Sequence, residues 1–490
     1  MLTNDAVDGA VDGGAPRRRL KLADGVRIEF GQTADDSAVA RWETAALPLG
    51  ALTLALRNAV HALADGVDED DVASEVGERE GLQALARWSW LMQALLDVGA
   101  LRCTLLADGS EPLATISALA PGPSLHLTPP SRSETLALSR FACLRAIAGV
   151  ATLESPLGRA RVELHDPRLA AVIASLALPS TAERLAASTG LAVEALAAFL
   201  GFLRGACALA PADESAIDAD ACGLPFWEVP DALFHVHSRL GRRGPAYGAT
   251  YRFRGRSAPP PAVAPVTGRI IPLPAPDLSV CATTDRSFTA VLEARRSQRS
   301  FSPEPVDVSV LSEFLYRSAR NTGLAAQPTA GGAEGFTGIT RPYPGAGGCH
   351  PIEIYLVAHR CSRLERGLYR YEPAGHGLIP LAADATRLDA LLASARNGAG
   401  AAESPPTLII LAARFARIQW KYEGIGYANL LKDAGALLQT MYLAATAMGL
   451  APCAIGGGDA ENFAIAAGRS FWEESSVAEF MLGHVSGSAS

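Results

Sequence analysis

The stretch Arg295-Arg296-Ser297-Gln298-Arg299-Ser300-Phe301 is the part of the sequence on which the fold assignment depends most. It places three arginines and a serine within five residues. Guanidinium groups bind phosphate through paired hydrogen bonds, and a serine hydroxyl adds a further donor. A solvated charge run at the end of a helix explains the same stretch when it is taken alone. It therefore predicts a phosphate site only if further ligand-binding segments accompany it.

Two glycine-rich loops follow the arginine cluster. The first, Arg341-Pro-Tyr-Pro-Gly-Ala-Gly-Gly, leads towards an apolar strand predicted over 353–358, and the second, Gly456-Gly-Gly, follows a strand predicted over 450–455. Glycines allow the backbone to approach a flat ligand closely. The first loop has neither the spacing of a P-loop nor that of a dinucleotide fingerprint, and no helix is predicted after its glycines. An ordinary turn is the alternative interpretation of each loop.

The pair Lys421-Tyr422 precedes a long apolar helix predicted over 427–448, with Gly449 as its stop. A lysine beside a tyrosine can supply a proton acceptor and a proton donor if burial shifts their pKa values towards neutrality. An ordinary pair on the protein surface is the alternative. The sequence thus contains four ambiguous segments, and their occurrence together is more informative than any one of them.

A proline-rich segment over 257–277 is the clearest internal boundary. Seven prolines lie between Pro259 and Pro276, and proline is excluded from helix interiors and from central strands. We therefore expect an extended, semi-rigid linker. The C-terminal part, 278–490, alternates helical and strand patterns as an α+β domain does. Its other clear strands are predicted over 367–373, 376–381 and 407–413, the first two as a hairpin.

Two similar passages, 1–125 and 126–256, precede this linker. Each combines strand patterns with amphipathic helices in the outline of a winged-helix-like module. The first has helices predicted over 49–64 and 80–98, and an Asp-Gly turn after Ala107 between two strands. Peptide binding, DNA binding and a scaffold that only packs against the rest of the chain are the alternative functions.

The second passage carries clear helix-start signals. Asp166 is predicted as one N-cap, and Ser180 as another, with Glu183 completing a capping box. The connector that follows is rich in aromatic and basic residues. Within it, His235 and His237 would share one face of a strand. A metal site and a packed connector are the alternatives for these histidines.

Composition limits the class of protein. The chain has 490 residues, of which 49% are hydrophobic and 19% charged, and a net charge of −8, as in a soluble globular protein of several domains. No domain-wide basic excess suggests a nucleic-acid partner. We expect neither a membrane span nor a secretory signal, and therefore a cytoplasmic protein. The eight cysteines include no Cys-x-x-Cys pair, so a zinc site is not expected.

An Arg-Arg-Ser-x-Arg cluster, a Pro-x-Ala-Gly loop, an Asp-Ala-Gly helix and a Gly-Leu-x₅-Gly-Gly turn occur in this order in the nitroreductase-like flavoprotein family, which the C-terminal part resembles. Gly367-Leu-Tyr-Arg-Tyr-Glu-Pro, Lys421-Tyr422 and Asp433-Ala-Gly-Ala-Leu-Leu-Gln are similar to its azoline-dehydrogenase branch in particular. The connector from Phe226 to Arg242 resembles the segment before the catalytic domain in long, cyanobactin-type oxidases. The resemblance implies an α+β, nitroreductase-like fold that follows the winged-helix-like modules.

The same resemblance implies FMN as the cofactor. The arginine cluster would hold the phosphate and the ring edge, and the first glycine loop would line the isoalloxazine. Lys421 and Tyr422 match the catalytic pair of the family. Relatives often have serine where this chain has Gly345, so a hydroxyl contact to the flavin is lost there. The implied cofactor-binding residues are Arg295, Arg296, Ser297, Arg299, Pro344, Gly345, Ala346, Gly347, Gly456 and Gly457.

The implied reaction is the oxidation of peptide azolines to thiazoles or oxazoles. Either Lys421 or Tyr422 would take the Cα proton while the Cβ hydrogen leaves as hydride to the flavin. The implied partners are a ribosomal precursor peptide, a cyclodehydratase, and a second copy of the chain in a homodimer with FMN at the subunit interface. Two alternatives stay open: an NAD(P)H-dependent reductase of nitro or quinone substrates, and a non-catalytic peptide-binding scaffold.

Overall fold

The chain divides into two compact units, Met1–Pro245 and Ala246–Ser490. The computed structural model describes residues 16–31, 37–42, 45–107, 111–211, 223–242, 246–326 and 336–487. The proline-rich segment over 257–277 is therefore part of the second unit. The predicted Asp-Gly turn after Ala107 lies outside the described residues.

The first unit is built on a seven-stranded antiparallel sheet, accompanied by a three-stranded and a two-stranded sheet. In spatial order the strands of the large sheet are Val67–Asp68, Arg17–Leu22, Leu101–Leu106, Pro112–Ala118, Ala160–Leu164, Val150–Glu154 and Cys143–Ile147. The small sheets comprise Arg27–Phe30, Ser37–Trp42 and Ala45–Ala51, and Leu136–Leu138 with Leu209–Pro211. The helices are Leu54–Ala62, Glu69–Glu80, Leu82–Asp97, Arg168–Ser175, Ala182–Thr189, Val193–Gly205 and Val229–His237.

Both N-terminal passages contribute to the same large sheet, because Pro112–Ala118 pairs with Ala160–Leu164. Each passage has strands, three helices and a further strand, but the helix Glu69–Glu80 and the short strand Val67–Asp68 before it were not predicted. One hydrophobic core runs through both passages, from Leu20 to Ala208. The winged-helix class of the two passages stays a prediction.

Four local predictions in the first unit are wrong. The N-cap of the helix Arg168–Ser175 is Pro167 and not Asp166, although Asp166 Oδ1 accepts from the Arg168 amide at 2.8 Å. Leu49 lies in the strand Ala45–Ala51, so the first helix begins only at Leu54. Thr181, and not Ser180, caps its helix, because the Ser180 backbone is paired with Leu136 in a β-bridge. The two connector histidines lie in the helix Val229–His237 and not in a strand, so their spacing places them on different sides of the element.

The second unit has a seven-stranded sheet in which every neighbouring pair is antiparallel. In spatial order its strands are Ile271–Pro272, Gly377–Leu381, Gly367–Glu372, Ile352–Ala358, Thr407–Arg414, Glu474–His484 and Leu450–Ile455. Two small sheets pair Val306–Asp307 with Cys361–Ser362 and Gly323–Ala326 with Thr337–Thr340. The helices are Leu278–Thr284, Phe288–Ala294, Val308–Ala319, Ala385–Ala399, Phe415–Gln419, Gly426–Ala447 and Ala460–Ala466.

The central strands of this sheet are buried on both faces, which is why they form nearly continuous apolar runs. Alternate residues of Thr407–Arg414 belong to two different core clusters. The long helix Gly426–Ala447 and the helix Val308–Ala319 cover one face, and Ala385–Ala399 with Ala460–Ala466 covers the other. The second unit is thus a three-layer helix–sheet–helix domain, which agrees with the predicted α+β class.

Within the described part of the chain, no single helix is long and apolar enough to cross a membrane. The bent pair Ala182–Thr189 and Val193–Gly205 meets the criterion by length and composition alone.

Candidate active site

The arginine cluster begins where the helix Phe288–Ala294 ends, with Arg295 in the C-cap position. The Gln298 amide donates to the Pro452 carbonyl at 2.8 Å, and the Ser297 hydroxyl lies 2.6 Å from Tyr442 Oη. Tyr442 Oη also accepts a hydrogen bond from the Ala454 amide at 2.8 Å. The cluster is therefore fixed against the strand that leads into Gly456-Gly-Gly, so the structure brings these two predicted segments together.

The guanidinium groups of the cluster are largely available to bind an anion. Arg295 lies over the Tyr442 ring at 5.2 Å, and Arg296 and Arg299 are exposed. Among the described residues, no carboxylate pairs with any of the three. A Cβ built on Gly456 or Gly457 would meet no atom within 4 Å. These observations fit a site that receives a phosphate group.

The first glycine loop is held by two buried side chains from elsewhere in the fold. The Ala346 amide donates to Asp433 Oδ1 at 2.9 Å, and Lys421 Nζ donates to the Gly347 carbonyl at 2.9 Å. Gly347 has a left-handed φ of 55°. A Cβ at this position would collide with Tyr422 Oη and would lie 2.7 Å from Lys421 Nζ. The loop and the predicted catalytic pair therefore meet at Gly347.

Lys421 and Tyr422 are held on a loop with paired backbone groups. The Tyr251 amide donates to the Lys421 carbonyl at 3.2 Å, and Glu423 pairs with Gly248 in a β-bridge. Only 5% of Lys421 is exposed. Burial lowers the pKa of Lys421 from its usual 10.5, and the charge of Arg417 adds to this effect. Burial raises the pKa of Tyr422 to about 12.

The ten predicted cofactor residues and the catalytic pair fall into two groups within one chain. The first group joins the arginine cluster to Gly456-Gly457 through Tyr442, and the second joins Pro344–Gly347 to Lys421-Tyr422 and Asp433. Tyr442 and Asp433 lie on the same helix, Gly426–Ala447, nine residues apart. Nine residues are about two and a half helical turns, so the two side chains point to opposite sides of the helix and lie about 14 Å apart along its axis.

Sequence reasoning assigned no site role to four residues that position the site. Asp433 anchors the loop, and its burial raises the pKa of its carboxyl group to about 6. Tyr442 connects the arginine cluster to the strand. Arg417 is buried and donates to the Cys349 carbonyl at 3.0 Å, and His350 packs against Gly345. The Asp433-Ala-Gly match to the family was the available signal for Asp433, although no role was assigned to its side chain, whereas no local pattern indicated the other three.

Gly347→Ala is expected to remove most activity without unfolding the protein. The new methyl group would enter the space of Tyr422 Oη and Lys421 Nζ, and the left-handed backbone would cost about 1 kcal/mol in addition. Gly449→Ala is the matched control, because Gly449 has a φ of 69° and open space around it. The control should lose a similar stability in thermal unfolding but keep its turnover. Equal turnover in the two variants would contradict this geometry.

Glu479→Gln is expected to stabilise the protein above neutral pH. Only 1% of Glu479 is exposed, and burial raises its pKa from 4.5 to about 7. Because the folded-state pKa exceeds the unfolded one, the wild type loses stability as the pH rises from about 4.5 through 7. The Glu479→Gln variant does not undergo this loss of folding stability, which amounts to about 3 kcal/mol at pH 8 in the wild type.

The measurement for Glu479→Gln is urea unfolding of variant and wild type at pH 4.5 and pH 8. The two proteins should differ little at the lower pH and clearly at the higher one. Glu365→Gln, at an exposed position, is the control and should change neither value. A Glu479→Gln protein that follows the pH dependence of the wild type would contradict the assignment.

Comparison with known proteins identifies the class of the second unit. Residues 292–484 match the Nitroreductase family, and residues 136–244 match the cyanobactin oxidase ThcOx family. The chain therefore carries a nitroreductase-family domain behind a cyanobactin-oxidase segment, which confirms the predicted resemblance. Members of the nitroreductase family are flavoproteins, and the two matches support an oxidoreductase.

Individual relatives share only part of the chain. A protein of Methanocaldococcus jannaschii, provisionally named a nitroreductase, is 27% identical over 166 residues, which are 34% of this chain and 76% of that protein. A crystal structure from Ralstonia eutropha with a similar provisional name is 21% identical, with a TM-score of 0.33, and the match covers 47% of this chain and 97% of that one.

A further solved structure is the E. coli microcin synthetase McbBCD complex with truncated pro-MccB17 bound. Its matching chain is 19% identical, with a TM-score of 0.33, and the match covers 56% of this chain and all of that one.

Proposed function

We propose that this chain binds FMN and oxidises azoline rings in a peptide to azoles. The observation that carries the proposal is that Lys421 Nζ and Tyr422 Oη meet over Gly347, in the loop that the resemblance assigns to the isoalloxazine. The match of residues 136–244 to cyanobactin oxidase supports a role in the biosynthesis of modified peptides. When bound, FMN would supply the acceptor for the hydride that leaves the azoline.

Lys421 is the better base of the pair. Its burial favours the neutral amine, whereas the pKa of about 12 keeps the Tyr422 phenol protonated at neutral pH. Lys421 would therefore accept the Cα proton at Nζ, and Tyr422 would orient the ring by donating a hydrogen bond from Oη. The hydrogen bond from Lys421 to the Gly347 carbonyl holds the amine at the loop before the substrate arrives.

The arginine cluster, with Ser297, would hold the FMN phosphate. The cofactor could approach the backbone at Gly456-Gly457 closely, since no side chain fills the space beside these glycines. Pro344–Gly347 would line the ring. Because the two groups point to opposite sides of the helix Gly426–Ala447 in one chain, a homodimer supplies both to the same flavin. Each cofactor would then lie between the first group of one copy and the second group of the other.

The test uses the purified full-length chain. The protein should bind FMN with the absorbance of a flavoprotein, and a cyclodehydrated precursor peptide should lose two hydrogens per azoline ring by mass spectrometry. A cyclodehydratase, which produces azolines, is the expected partner upstream. Colourless protein that cannot be reconstituted with FMN would overturn the proposal.

Two other outcomes identify the rival functions. Steady oxidation of NAD(P)H with a quinone, and no reaction with the azoline peptide, would identify a reductase of the same fold. Binding of the peptide by a protein that holds no flavin would identify a scaffold.

A further inference from the structure

His350 has an unusual conformation beside the first glycine loop. Its φ of 41° lies in the left-handed region, which non-glycine residues seldom adopt. Only 4% of the residue is exposed, and the Tyr343 ring packs edge-on against the imidazole at 5.1 Å. Strained, buried side chains of this kind persist where the surrounding structure fixes them, and they concentrate at ligand sites.

The imidazole occupies the space that a side chain at residue 345 would need. A Cβ built on Gly345 would lie 2.7 Å from His350 Cε1, 2.8 Å from Nδ1 and 2.9 Å from Nε2. A serine at this position and the present imidazole therefore exclude each other. The loop has room for one polar group at this point, and in this chain that group comes from residue 350.

The imidazole also lacks a partner that a buried polar group requires. His350 Nδ1 is buried without a hydrogen-bond partner among the described residues. Burial, with the nearby charges of Arg341 and Arg417, lowers the pKa of His350 to about 4. The ring is therefore neutral at physiological pH and offers one donor and one acceptor. Buried polar groups in native proteins are nearly always paired, so the described residues leave part of the hydrogen-bonding capacity of this imidazole unused.

We infer that His350 makes a polar contact with the flavin ring bound at Pro344–Gly347, in the place that a hydroxyl group at residue 345 would otherwise take. This inference rests on the proposed function for the identity of the ligand. Gly345 and His350 thus form a compensating pair, in which the absence of a side chain at one residue makes room for the polar group of the other.

The test is a double-substitution cycle on the full-length protein, with FMN affinity measured by fluorescence titration of the flavin-free form. His350→Ala should weaken FMN binding by about tenfold, the contribution of one hydrogen bond, and should shift the absorption spectrum and midpoint potential of the bound flavin. Gly345→Ser alone should weaken binding at least as much, because the serine collides with the imidazole. The double variant should bind within about threefold of the wild type.

His350→Asn separates a ligand contact from a folding effect, because asparagine tolerates the left-handed backbone. It should melt at a higher temperature than His350→Ala, because the backbone strain is better tolerated, and still show the altered flavin potential. His350→Ala protein with wild-type affinity, spectrum and potential would overturn the inference, as would purely additive losses in the double variant. Wild-type protein that binds no FMN would instead overturn the proposed function itself, so the two failures are distinguishable.

Discussion

Lys421→Ala is expected to lower the rate of azoline oxidation by roughly 10²- to 10⁴-fold, the usual contribution of a general base. The protein should keep its fold and its flavin, because the residues that would hold the phosphate lie in the other group of site residues. The variant loses the amine that lies at the Gly347 carbonyl and leaves the Tyr422 hydroxyl in place. The measurement is single-turnover formation of the azole, with flavin content determined for each preparation.

The pH dependence of the wild-type rate tests the same assignment. A lysine acts as a base only when neutral, so the rate should rise with pH through the pKa of Lys421, which burial places below 10.5. The pKa of Tyr422, raised to about 12, lies too high to produce a falling limb in the accessible range. The rising limb should be absent in Lys421→Ala. Tyr422→Phe should keep the limb at a reduced rate.

Lys432→Ala is the matched control for these experiments, since Lys432 is exposed on the following helix. It should retain the wild-type rate at every pH. Full azole formation by Lys421→Ala would exclude Lys421 as the base. A loss confined to Tyr422→Phe would assign the proton transfer to the tyrosine.

The parts of the site that the sequence revealed are those whose chemistry is local. Glycine positions can be read directly from the sequence. Gly347 has a left-handed φ, which a residue without a Cβ adopts easily. The pair Lys421-Tyr422 is adjacent in sequence, so its members are necessarily close in space. The strands and helices that were predicted in the second unit lie within about two residues of the observed ones, because burial on both faces leaves a strong apolar pattern. The helices Leu278–Thr284, Ala385–Ala399 and Ala460–Ala466 and the strand Glu474–His484 were not predicted.

The parts that sequence could not reveal depend on which elements become neighbours. Tyr442 connects Ser297 to Ala454 only because the long helix packs between the arginine cluster and the strand. Ser180 has the side chain of a helix cap, but a β-bridge to Leu136 engages its backbone and moves the cap to Thr181. Tertiary pairing overrides local preference in such cases.

The division of the site into two groups is the main consequence of this packing. The order of the motifs along the chain does not by itself show whether they lie on one side of the fold or on two. On the helix Gly426–Ala447, Tyr442 and Asp433 are about two and a half turns apart, so their side chains point to opposite sides of the helix. The homodimer that the resemblance implies would bring one half from each copy to the same flavin, which fits two halves that point in opposite directions.

Arg417→Met is expected to lower the free energy of unfolding of the second unit by about 3–5 kcal/mol, because three buried carbonyls would each lose a hydrogen bond from a charged donor worth about 1–3 kcal/mol. Only 1% of Arg417 is exposed. Its guanidinium group donates to the Cys349 carbonyl at 3.0 Å, to the Pro260 carbonyl at 2.9 Å and to the Thr337 carbonyl. Burial lowers its pKa to about 10, so it remains charged at neutral pH, and methionine would remove all three hydrogen bonds.

The same substitution should weaken FMN binding, because the bond to Cys349 fixes the end of the first glycine loop. Arg417→Lys keeps the charge but cannot reach three carbonyls in one plane, so its loss should be intermediate. Arg366→Met is the control, since Arg366 pairs with Asp389 on the surface and should change stability by less than about 1 kcal/mol. Urea unfolding and flavin titration measure both effects. Arg417→Met protein as stable as the control would show that the proline-rich segment and the loop do not depend on this side chain.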